Sequence, residues 1–267
     1  MEYRAPKGTA DMLPDVARVW EHMQRTAQDL FARYGYQPLY TPSFEHTEIF
    51  ARGIGEATDI VGKEMYTFED RGGRSITLRP ENTASVVRAA LEHGLVTQGQ
   101  YAKLYYAGPM FRYERPQAGR MRQFWQIGVE CLGAGAPSAD AEVIVLLVRY
   151  FEALGITGTT LLLNSMGDDA CRPVYRDKVA GYIRDHGEQL CEECNRRADT
   201  NPLRAFDCKN PTCRDVMELA PKLRDELCPE CAEHYEAVKS HLDRLGISYV
   251  EDPRLVRGLD YYTRTVF

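Results

Sequence analysis

The chain has 267 residues, a net charge of −6 and a hydrophobic fraction of 44%. These values are typical of a globular protein and exclude the disordered, collagen-like and coiled-coil classes. The acidic balance excludes a uniformly basic surface, although a local basic patch is enough to bind a nucleic acid. The sequence has no apolar run of about 18 residues and no apolar segment near its start, so we expect a cytoplasmic protein without a membrane segment.

Apolar periodicity and turn residues divide the chain into predicted helices and strands. Helices are predicted over residues 14–34, 81–93 and 138–153. Strands are predicted in a hairpin over 66–79 and in four further segments over 103–113, 124–131, 159–163 and 247–250. Prolines 38 and 42 make the stretch from Gly35 to Phe50 extended but unsuited to a central strand. This order predicts an α+β fold in which helices flank an antiparallel sheet.

A charged, helical segment over 168–245 differs in composition from the rest of the chain. Within this segment, the stretch from Cys191 to Cys231 contains six of the eight cysteines. We therefore predict three parts: a core over 1–167, a helical, cysteine-rich insertion over 168–245, and a return to the core over 246–267.

The strand over 124–131 carries polar groups on one face. Alternation places Gln126, Gly128 and Glu130 on that face. The opposite, apolar face is formed by Trp125, Ile127, Val129 and Cys131. The missing side chain at Gly128 predicts a hollow between the amide and the carboxylate, where a small polar ligand would fit. An ordinary solvated sheet face explains the same pattern, and this strand by itself favours that explanation.

Arginines surround the end of the strand over 103–113. Arg112 ends this strand on the same face as Met110, and the loop that follows it contains Arg115, Arg120 and Arg122. Guanidinium groups match phosphate oxygens, so the set would suit a triphosphate or an RNA backbone. Salt bridges with Glu114 explain the loop arginines equally well, whereas a strand arginine that faces a pocket has more need of an anion.

Two shorter segments carry further candidate residues. Arg257 precedes the segment 258–262, whose two tyrosines offer hydroxyls and ring faces. A turn in which Arg257 pairs with Asp260 is the alternative. Glu81 and Thr83 lie at a hairpin-to-helix junction, where an acid either accepts from an ammonium group or simply favours the helix N-terminus.

Taken together, these segments resemble the histidyl-tRNA synthetase family of class II aminoacyl-tRNA synthetases. The resemblance is carried by residues 6–11, 78–83, 111–117, 120–126 and 255–267. It extends over essentially the whole chain and implies a class II synthetase fold. It also implies a ligase that uses ATP and Mg²⁺ to convert L-histidine to histidyl-adenylate and then transfers the histidine to the 3′ end of tRNA(His).

The resemblance implies roles for individual residues. Arg112 and Arg257 would be the catalytic residues that hold the α-phosphate of ATP, and Glu114 would also contact ATP. The histidine-binding residues would be Glu81, Thr83, Gln126, Glu130, Tyr261 and Tyr262. Arg115 and Gln117 would meet the acceptor end of the tRNA.

The resemblance also bears on assembly and extent. Pro42 falls where class II enzymes keep the proline of their dimer-interface motif, so we expect a homodimer. The chain ends at Phe267, before a third class II motif and an anticodon-binding domain, so we expect a catalytic-domain fragment, and the activity of this chain alone is left open. Two alternatives remain: a non-catalytic paralogue that acts as the regulatory subunit of ATP phosphoribosyltransferase, and a zinc-bearing RNA-binding module.

Two Cys-x-x-Cys pairs have the spacing of structural zinc sites. The four cysteines are Cys191, Cys194, Cys228 and Cys231, and Cys208 and Cys213 lie between the pairs. If these four bind Zn²⁺, we predict a structural and not a catalytic ion, because four thiolates leave no open position. The alternative is that the insertion folds through its own helices and the thiols stay free. Cys131 and Cys171 are expected to be buried or incidental.

Overall fold

A computed structural model of the chain describes residues 3–54, 58, 60–257 and 261–267. The helices among these residues are α1 Pro14–Arg33, α2 Thr47–Ile54, α3 Thr83–Glu92, α4 Pro137–Ala153, α5 Arg172–Asp185, α6 Glu192–Thr200, α7 Pro211–Glu218 and α8 Pro229–Arg244. The strands are β1 Gln37–Pro38, β2 Phe44–His46, β3 Tyr66–Glu69, β4 Ser75–Leu78, β5 Ala102–Phe111, β6 Gln123–Leu132, β7 Leu162–Ser165, β8 Val250–Glu251 and β9 Thr265–Val266. None of these helices is both long enough and apolar enough to cross a membrane.

The chain forms two compact units. Unit 1 comprises Met1–Gly135 and Leu146–Thr157, and unit 2 comprises Ala136–Val145 and Gly158–Phe267. The division of the chain at residues 167 and 245 into core, insertion and return stays a prediction.

Unit 1 is built on two three-stranded sheets. In the first, β5 and β6 pair antiparallel over ten residues, and the short β1 lies parallel to β5. This register places Tyr106 opposite Gly128 and Leu104 opposite Glu130. In the second, β4 lies between β2 and β3 and pairs antiparallel with both. The antiparallel strand pair and the hairpin were both predicted, although the two-residue parallel contact of β1 was not.

Aromatic side chains fill much of the core of unit 1. Phe31 of α1 lies with its ring centroid 5.6 Å from Tyr105 of β5 and 5.7 Å from Tyr150 of α4. The apolar face of β6 packs against this cluster through Ile127, Val129 and Cys131, as its alternation predicted. Trp125, on the same face, is 37% exposed, and its ring lies 5.0 Å from Trp20.

Two boundaries in unit 1 differ from the predictions. The stretch predicted to stay extended to Phe50 turns into α2 at Thr47, because Phe50 is fully buried on that helix. The helix predicted from Glu81 begins at Thr83, because the Glu81 carboxylate accepts hydrogen bonds from the first backbone N–H groups of α3. An acceptor of the free N–H groups must precede the helix that it caps.

Unit 2 is mainly helical, and α5, α6 and α7 contribute to one apolar core. Its small sheet has the order β8-β7-β9, with β7 parallel to β8 and antiparallel to β9. The strand predicted over 159–163 occurs at Leu162–Ser165, where these two partners are available. The strand predicted over 247–250 begins only at Val250, because Ile247 still belongs to the end of α8.

A Schellman motif explains that last difference. Gly246 has φ +67°, and its N–H donates to the Asp243 carbonyl. The N–H of Ile247 donates to the Leu242 carbonyl at 3.0 Å, and both apolar side chains are buried. This hydrogen-bond pattern closes a helix through a left-handed residue, so an apolar residue just after it caps the helix instead of starting a strand.

Candidate active site

The N-terminus of α3 is closed by a buried carboxylate. Glu81 is 4% exposed, and its Oε2 and Oε1 accept from the backbone N–H groups of Thr83 at 2.6 Å and Ala84 at 3.0 Å. Burial raises the pKa of Glu81, while these hydrogen bonds and the charge of Arg112 oppose the rise. The helix-capping alternative noted from the sequence is therefore present, and it fixes this carboxylate beside Thr83.

A second carboxylate meets the same helix end from β6. The Thr83 hydroxyl donates to Oε1 of Glu130 at 2.7 Å. Burial raises the pKa of Glu130 to about 7, and the negative charge of Glu81 contributes to the rise. Hydrogen bonds from Thr83 and Tyr106 oppose it. Two carboxylates held this close favour a cationic or hydrogen-bond-donating ligand between them.

The hollow predicted at Gly128 is wrong, because Tyr106 fills it. A Cβ atom added at Gly128 would lie 2.4 Å from both Cζ and Oη of Tyr106, its partner in the strand pair. Glycine is needed here so that the phenol can cross the strand and reach Glu130. The sequence pattern identified the glycine but not the side chain that uses its space.

Arg112 lies just beyond β5 and is held on several sides. Its Nε donates to the carbonyl of Pro80 at 2.8 Å, and its guanidinium carbon lies 5.1 Å from the ring centre of Phe124. Nη1 is 3.9 Å from Oε1 of Glu114. The backbone of Pro80 thus places Arg112 next to the cap formed by Glu81, and its side chain keeps 22% of its surface exposed. A fixed, partly exposed guanidinium beside a carboxylate pair is suited to bind an anionic group.

The loop after Arg112 contains both paired and exposed groups. Glu114 accepts from Arg120 at 3.1 Å, which matches the salt-bridge alternative for that arginine. The Arg122 guanidinium lies 3.9 Å from the ring centre of Tyr113. Arg115 and Gln117, the predicted tRNA contacts, are both exposed.

Sequence reasoning missed the organising role of Arg79. This buried arginine donates from Nε to the Pro109 carbonyl at 2.9 Å and from Nη1 to the Thr41 carbonyl at 3.0 Å. A Cβ at Gly108 would lie 2.5 Å from its Nη2. Arg79 thereby joins β5 to the segment that contains Pro42. The only signal in the sequence was its position just before Pro80 and Glu81.

Gln126 lies on β6 in unit 1, and unit 2 holds the predicted residues Arg257, Tyr261 and Tyr262. Nε of Arg257 is buried and has no hydrogen-bond partner among the described residues. The Arg257 guanidinium carbon lies 5.9 Å from the ring centre of Tyr262, which stacks on Tyr261 at 5.0 Å. The predicted Arg257–Asp260 alternative falls on residues 258–260, outside the described residues. An arginine with an unpaired buried Nε is suited to an anionic ligand.

The four cysteines predicted to share one zinc ion lie in two separate groups. The first cysteine cluster consists of Cys191, Cys194, Cys208 and Cys213. The second cysteine cluster consists of Asp168, Cys171, Cys228 and Cys231. Each Cys-x-x-Cys pair therefore takes its partners from elsewhere in the chain. Cys171, predicted to be buried or incidental, is buried and belongs to the second cluster.

The sequence and its fold match known proteins. A sequence model of the family described as Histidyl-tRNA synthetase matches residues 8–169. The histidine–tRNA ligase of Halothermothrix orenii is 55% identical over 267 residues, which cover 100% of this chain and 64% of that protein. The histidine–tRNA ligase of Moorella thermoacetica is 52% identical over 262 residues, which cover 98% of this chain and 62% of that protein. The chain thus spans less than two thirds of the length of these relatives.

Solved structures agree with the sequence matches. The crystal structure of apo S. aureus histidyl-tRNA synthetase matches this chain with a TM-score of 0.76 and 42% sequence identity. The match covers 99% of this chain and 60% of that chain. This likeness confirms the predicted α+β, class II synthetase-like fold. A second solved structure is described as an ATP phosphoribosyltransferase regulatory subunit/histidyl-tRNA synthetase from Bacillus halodurans C. It matches with a TM-score of 0.65 and 20% identity over 99% of this chain and 72% of that chain. At this identity the likeness concerns the fold alone.

Proposed function

Because this chain belongs to the histidyl-tRNA synthetase family, we propose that it carries the catalytic part of a histidine–tRNA ligase. The proposed reaction joins L-histidine to ATP, giving histidyl-adenylate and pyrophosphate, and then transfers the histidine to the 3′ end of tRNA(His). The observation that carries the proposal is the part-buried hydrogen bond from Thr83 to Glu130, beside the Glu81 cap and Arg112.

The first step needs charge stabilisation more than it needs a protein base. The carboxylate of histidine is the nucleophile: it forms a bond to the α-phosphorus while the bond from that phosphorus to the pyrophosphate oxygen breaks. Negative charge grows on the α-phosphoryl oxygens, and fixed cationic donors lower the energy of that state. We assign this role to Arg112 and Arg257, which the resemblance to the family implies.

Mg²⁺ would accompany ATP, with its coordination supplied largely by phosphate oxygens. The Glu114 carboxylate, whose Oε1 lies 3.9 Å from Arg112, offers oxygen ligands of the kind that this ion prefers. When bound, Mg²⁺ would supply further stabilisation of phosphate charge.

We assign histidine binding to the residues that the resemblance to the family implies. Glu81 and Thr83 would contact the α-ammonium group of histidine, and Glu130 would belong to the rest of the histidine pocket. Gln126, Tyr261 and Tyr262 complete the proposed set of hydrogen-bond partners. A site that donates hydrogen bonds to an imidazole and accepts them from it leaves its own groups unpaired when an amino acid with an apolar side chain enters. This can disfavour binding of that amino acid by about 10⁴-fold.

The proposal extends to the partners of the whole protein. The exposed Arg115 and Gln117 would contact the tRNA acceptor end, in the cytoplasm where tRNA is charged. A homodimer through the segment around Pro42 is part of the same proposal. It is supported by the exposure of two large apolar side chains in that segment, 78% for Tyr40 and 54% for Phe44.

Histidine-dependent exchange of pyrophosphate into ATP tests the proposed activity. We expect exchange by the 267-residue chain, and a loss of about 10²-fold or more in Arg112→Ala and in Arg257→Ala. Arg149→Ala is the matched control, because Arg149 is an exposed arginine that pairs with Glu152 on α4. Exchange that survives unchanged in both phosphate-site variants would contradict the assignment.

The two alternatives make different predictions in the same assay. A regulatory paralogue and a zinc-bearing RNA-binding module would both lack histidine-dependent exchange, and the RNA-binding module would still bind RNA. The histidine–tRNA ligases at 52% to 55% identity favour the ligase. The likeness to the Bacillus halodurans protein, at 20% identity, concerns the fold alone.

A further inference from the structure

We propose that unit 2 binds two structural Zn²⁺ ions, one in each cysteine cluster. Within each cluster, the four potential ligand atoms lie within 4.8 Å of one another. The two Cys-x-x-Cys pairs therefore belong to different ions. This inference depends on the positions of the thiols and Asp168, and it is independent of the proposed ligase activity.

The first cysteine cluster has the dimensions of a tetrahedral four-thiolate site. Four sulfurs at about 2.3 Å from a central zinc are about 3.8 Å from one another. The Sγ atoms of Cys191 and Cys208 are 3.9 Å apart, whereas a disulfide requires about 2 Å. The backbone N–H of Cys191 donates to Sγ of Cys213 at 3.2 Å, a contact that favours the thiolate form.

The local fold directs these four sulfurs to one point. Cys191 is the N-cap of α6 and Cys194 lies in its first turn, while Cys213 lies in the first turn of α7. Cys208 ends the short helical segment over Pro202–Asp207. Cys194 and Cys213 are fully buried, so the interior ligands come from two helix starts whose dipoles stabilise negative sulfur.

The second cysteine cluster repeats this arrangement with one carboxylate. Cys228 is the N-cap of α8 and Cys231 lies in its first turn. Cys171 is the N-cap of α5, and Asp168 precedes it by three residues, so Asp168 takes the place of the first cysteine in a Cys-x-x-Cys pair. Oδ1 of Asp168 is 3.8 Å from Sγ of Cys171 and 3.9 Å from Sγ of Cys228. A tetrahedral zinc with sulfur and oxygen ligands has sulfur–oxygen separations of about 3.6 Å.

The neighbours of Asp168 support its assignment as a ligand. Oδ1 faces the thiols, while Oδ2 accepts from Nη2 of Arg264 at 3.3 Å. Such a partner orients a ligating carboxylate and balances the negative charge of three thiolates and one carboxylate around a divalent ion. Arg264 itself has φ +54°, and its backbone forms hydrogen bonds with Met166 and Gly167 that hold it in this position.

Gly167 shows that the chain makes room for this cluster. A Cβ atom at Gly167 would lie 2.6 Å from Sγ of Cys171, and the residue has φ +61°. Glycine thus permits both the turn and the approach of the thiol. The two ions would fix the starts of α5, α6, α7 and α8 to one another in pairs, which assigns them a structural role.

Metal content of the reduced, purified chain tests the proposal. We expect two zinc equivalents per chain by mass spectrometry of the elements. The double variant that combines Cys191→Ser and Cys208→Ser should retain one zinc equivalent. The double variant that combines Asp168→Asn and Cys228→Ser should also retain one. These positions are half-buried, which limits damage to the core. Cys131→Ser is the matched control and should retain two, because Cys131 belongs to neither cluster.

Two measurements on the unmodified chain keep the test decisive if a variant fails to fold. X-ray absorption at the zinc edge should give an average of about 3.5 sulfur ligands per zinc, from four in one site and three in the other. Alkylation mapped by mass spectrometry should show that removal of zinc by a chelator exposes the seven cluster cysteines and leaves the reactivity of Cys131 unchanged. Fewer than two equivalents in the unmodified chain, iron in place of zinc, or loss of both ions from either double variant would overturn the proposal.

Discussion

Thr83 and Glu130 are 47 residues apart in sequence, and the hydroxyl of the first donates to the carboxylate of the second at 2.7 Å. This bond joins the start of α3 to β6. Because the same Thr83 offers its backbone N–H to Glu81, one residue holds both carboxylates of the candidate histidine site. Substitutions at Thr83 and Glu130 are therefore expected to alter the ionisation of these carboxyl groups as well as the binding of histidine.

Thr83→Val should raise the pKa of Glu130 above its value of about 7. The hydroxyl donates to the carboxylate and so favours the charged form, and loss of such a bond corresponds to about 1.4 kcal/mol, or tenfold in proton affinity. The titration can be followed by NMR of the Glu130 side-chain carboxyl carbon. Thr97→Val, which removes an exposed hydroxyl bonded to Gln100, should leave the titration unchanged.

Glu130→Gln should make the protein more stable above pH 7 relative to the wild type. The pKa of Glu130 rises on folding from 4.5 to about 7, so the folded state binds more protons than the unfolded state between these values. The Glu130 contribution to the free energy of unfolding therefore falls as pH rises through this window, by up to about 3 kcal/mol. Denaturant unfolding at pH 4.5 and pH 8 measures the free energy of unfolding of the variant relative to the wild type. Glu21→Gln, on the exposed surface of α1, is the control. If the free energies of unfolding of Glu130→Gln and the wild type differ by the same amount at both pH values, the raised pKa of Glu130 is contradicted.

Gly128→Ala should destabilise unit 1. The new Cβ would lie 2.4 Å from the ring and hydroxyl of Tyr106, and overpacking of this kind costs about 1–3 kcal/mol. Gly135→Ala is the matched control, because no atom beyond the two adjacent residues lies within 4 Å of a Cβ there. Its effect should stay within about 0.5 kcal/mol. Thermal unfolding of the two variants gives the comparison, and equal midpoints would show that Tyr106 moves aside freely.

Arg79→Lys should also be destabilising despite the retained charge. An ammonium group cannot donate at once along the directions that Nε and Nη1 use to reach the carbonyls of Pro109 and Thr41. Loss of buried hydrogen bonds predicts a decrease of about 1–3 kcal/mol in the free energy of unfolding. Arg74→Lys, at an exposed ion pair with Asp70, should change it by less than about 1 kcal/mol. A similar effect of both substitutions would rule out the organising role given to Arg79.

Local sequence signals predicted the elements whose causes are themselves local. The helix starting at Pro14 and the hairpin of β3 and β4 depend on nearby residues, and both occur where expected. The position of Ile247 depends instead on a helix end that precedes it, and that of β7 depends on partners near residues 250 and 265. Pairing between distant segments is absent from a local pattern, so these boundaries shifted by several residues.

The same distinction applies to the candidate sites. Alternation identified Glu130 and Gly128 as neighbours on one face, but the roles of Tyr106 and Thr83 follow only from the strand register and the helix start. Spacing identified the two Cys-x-x-Cys pairs but not which other residues they meet. Asp168 has the same three-residue spacing to Cys171. This spacing could have identified the second cluster from the sequence.

Calorimetric titration of L-histidine into the 267-residue chain tests the central claim most directly, because it asks whether the carboxylates held by Thr83 bind the amino acid. We predict one histidine per chain, with affinity lowered about tenfold or more in Glu130→Gln and unchanged in Glu21→Gln. No binding of histidine by the wild-type chain, or equal affinities in the wild type and Glu130→Gln, would contradict it.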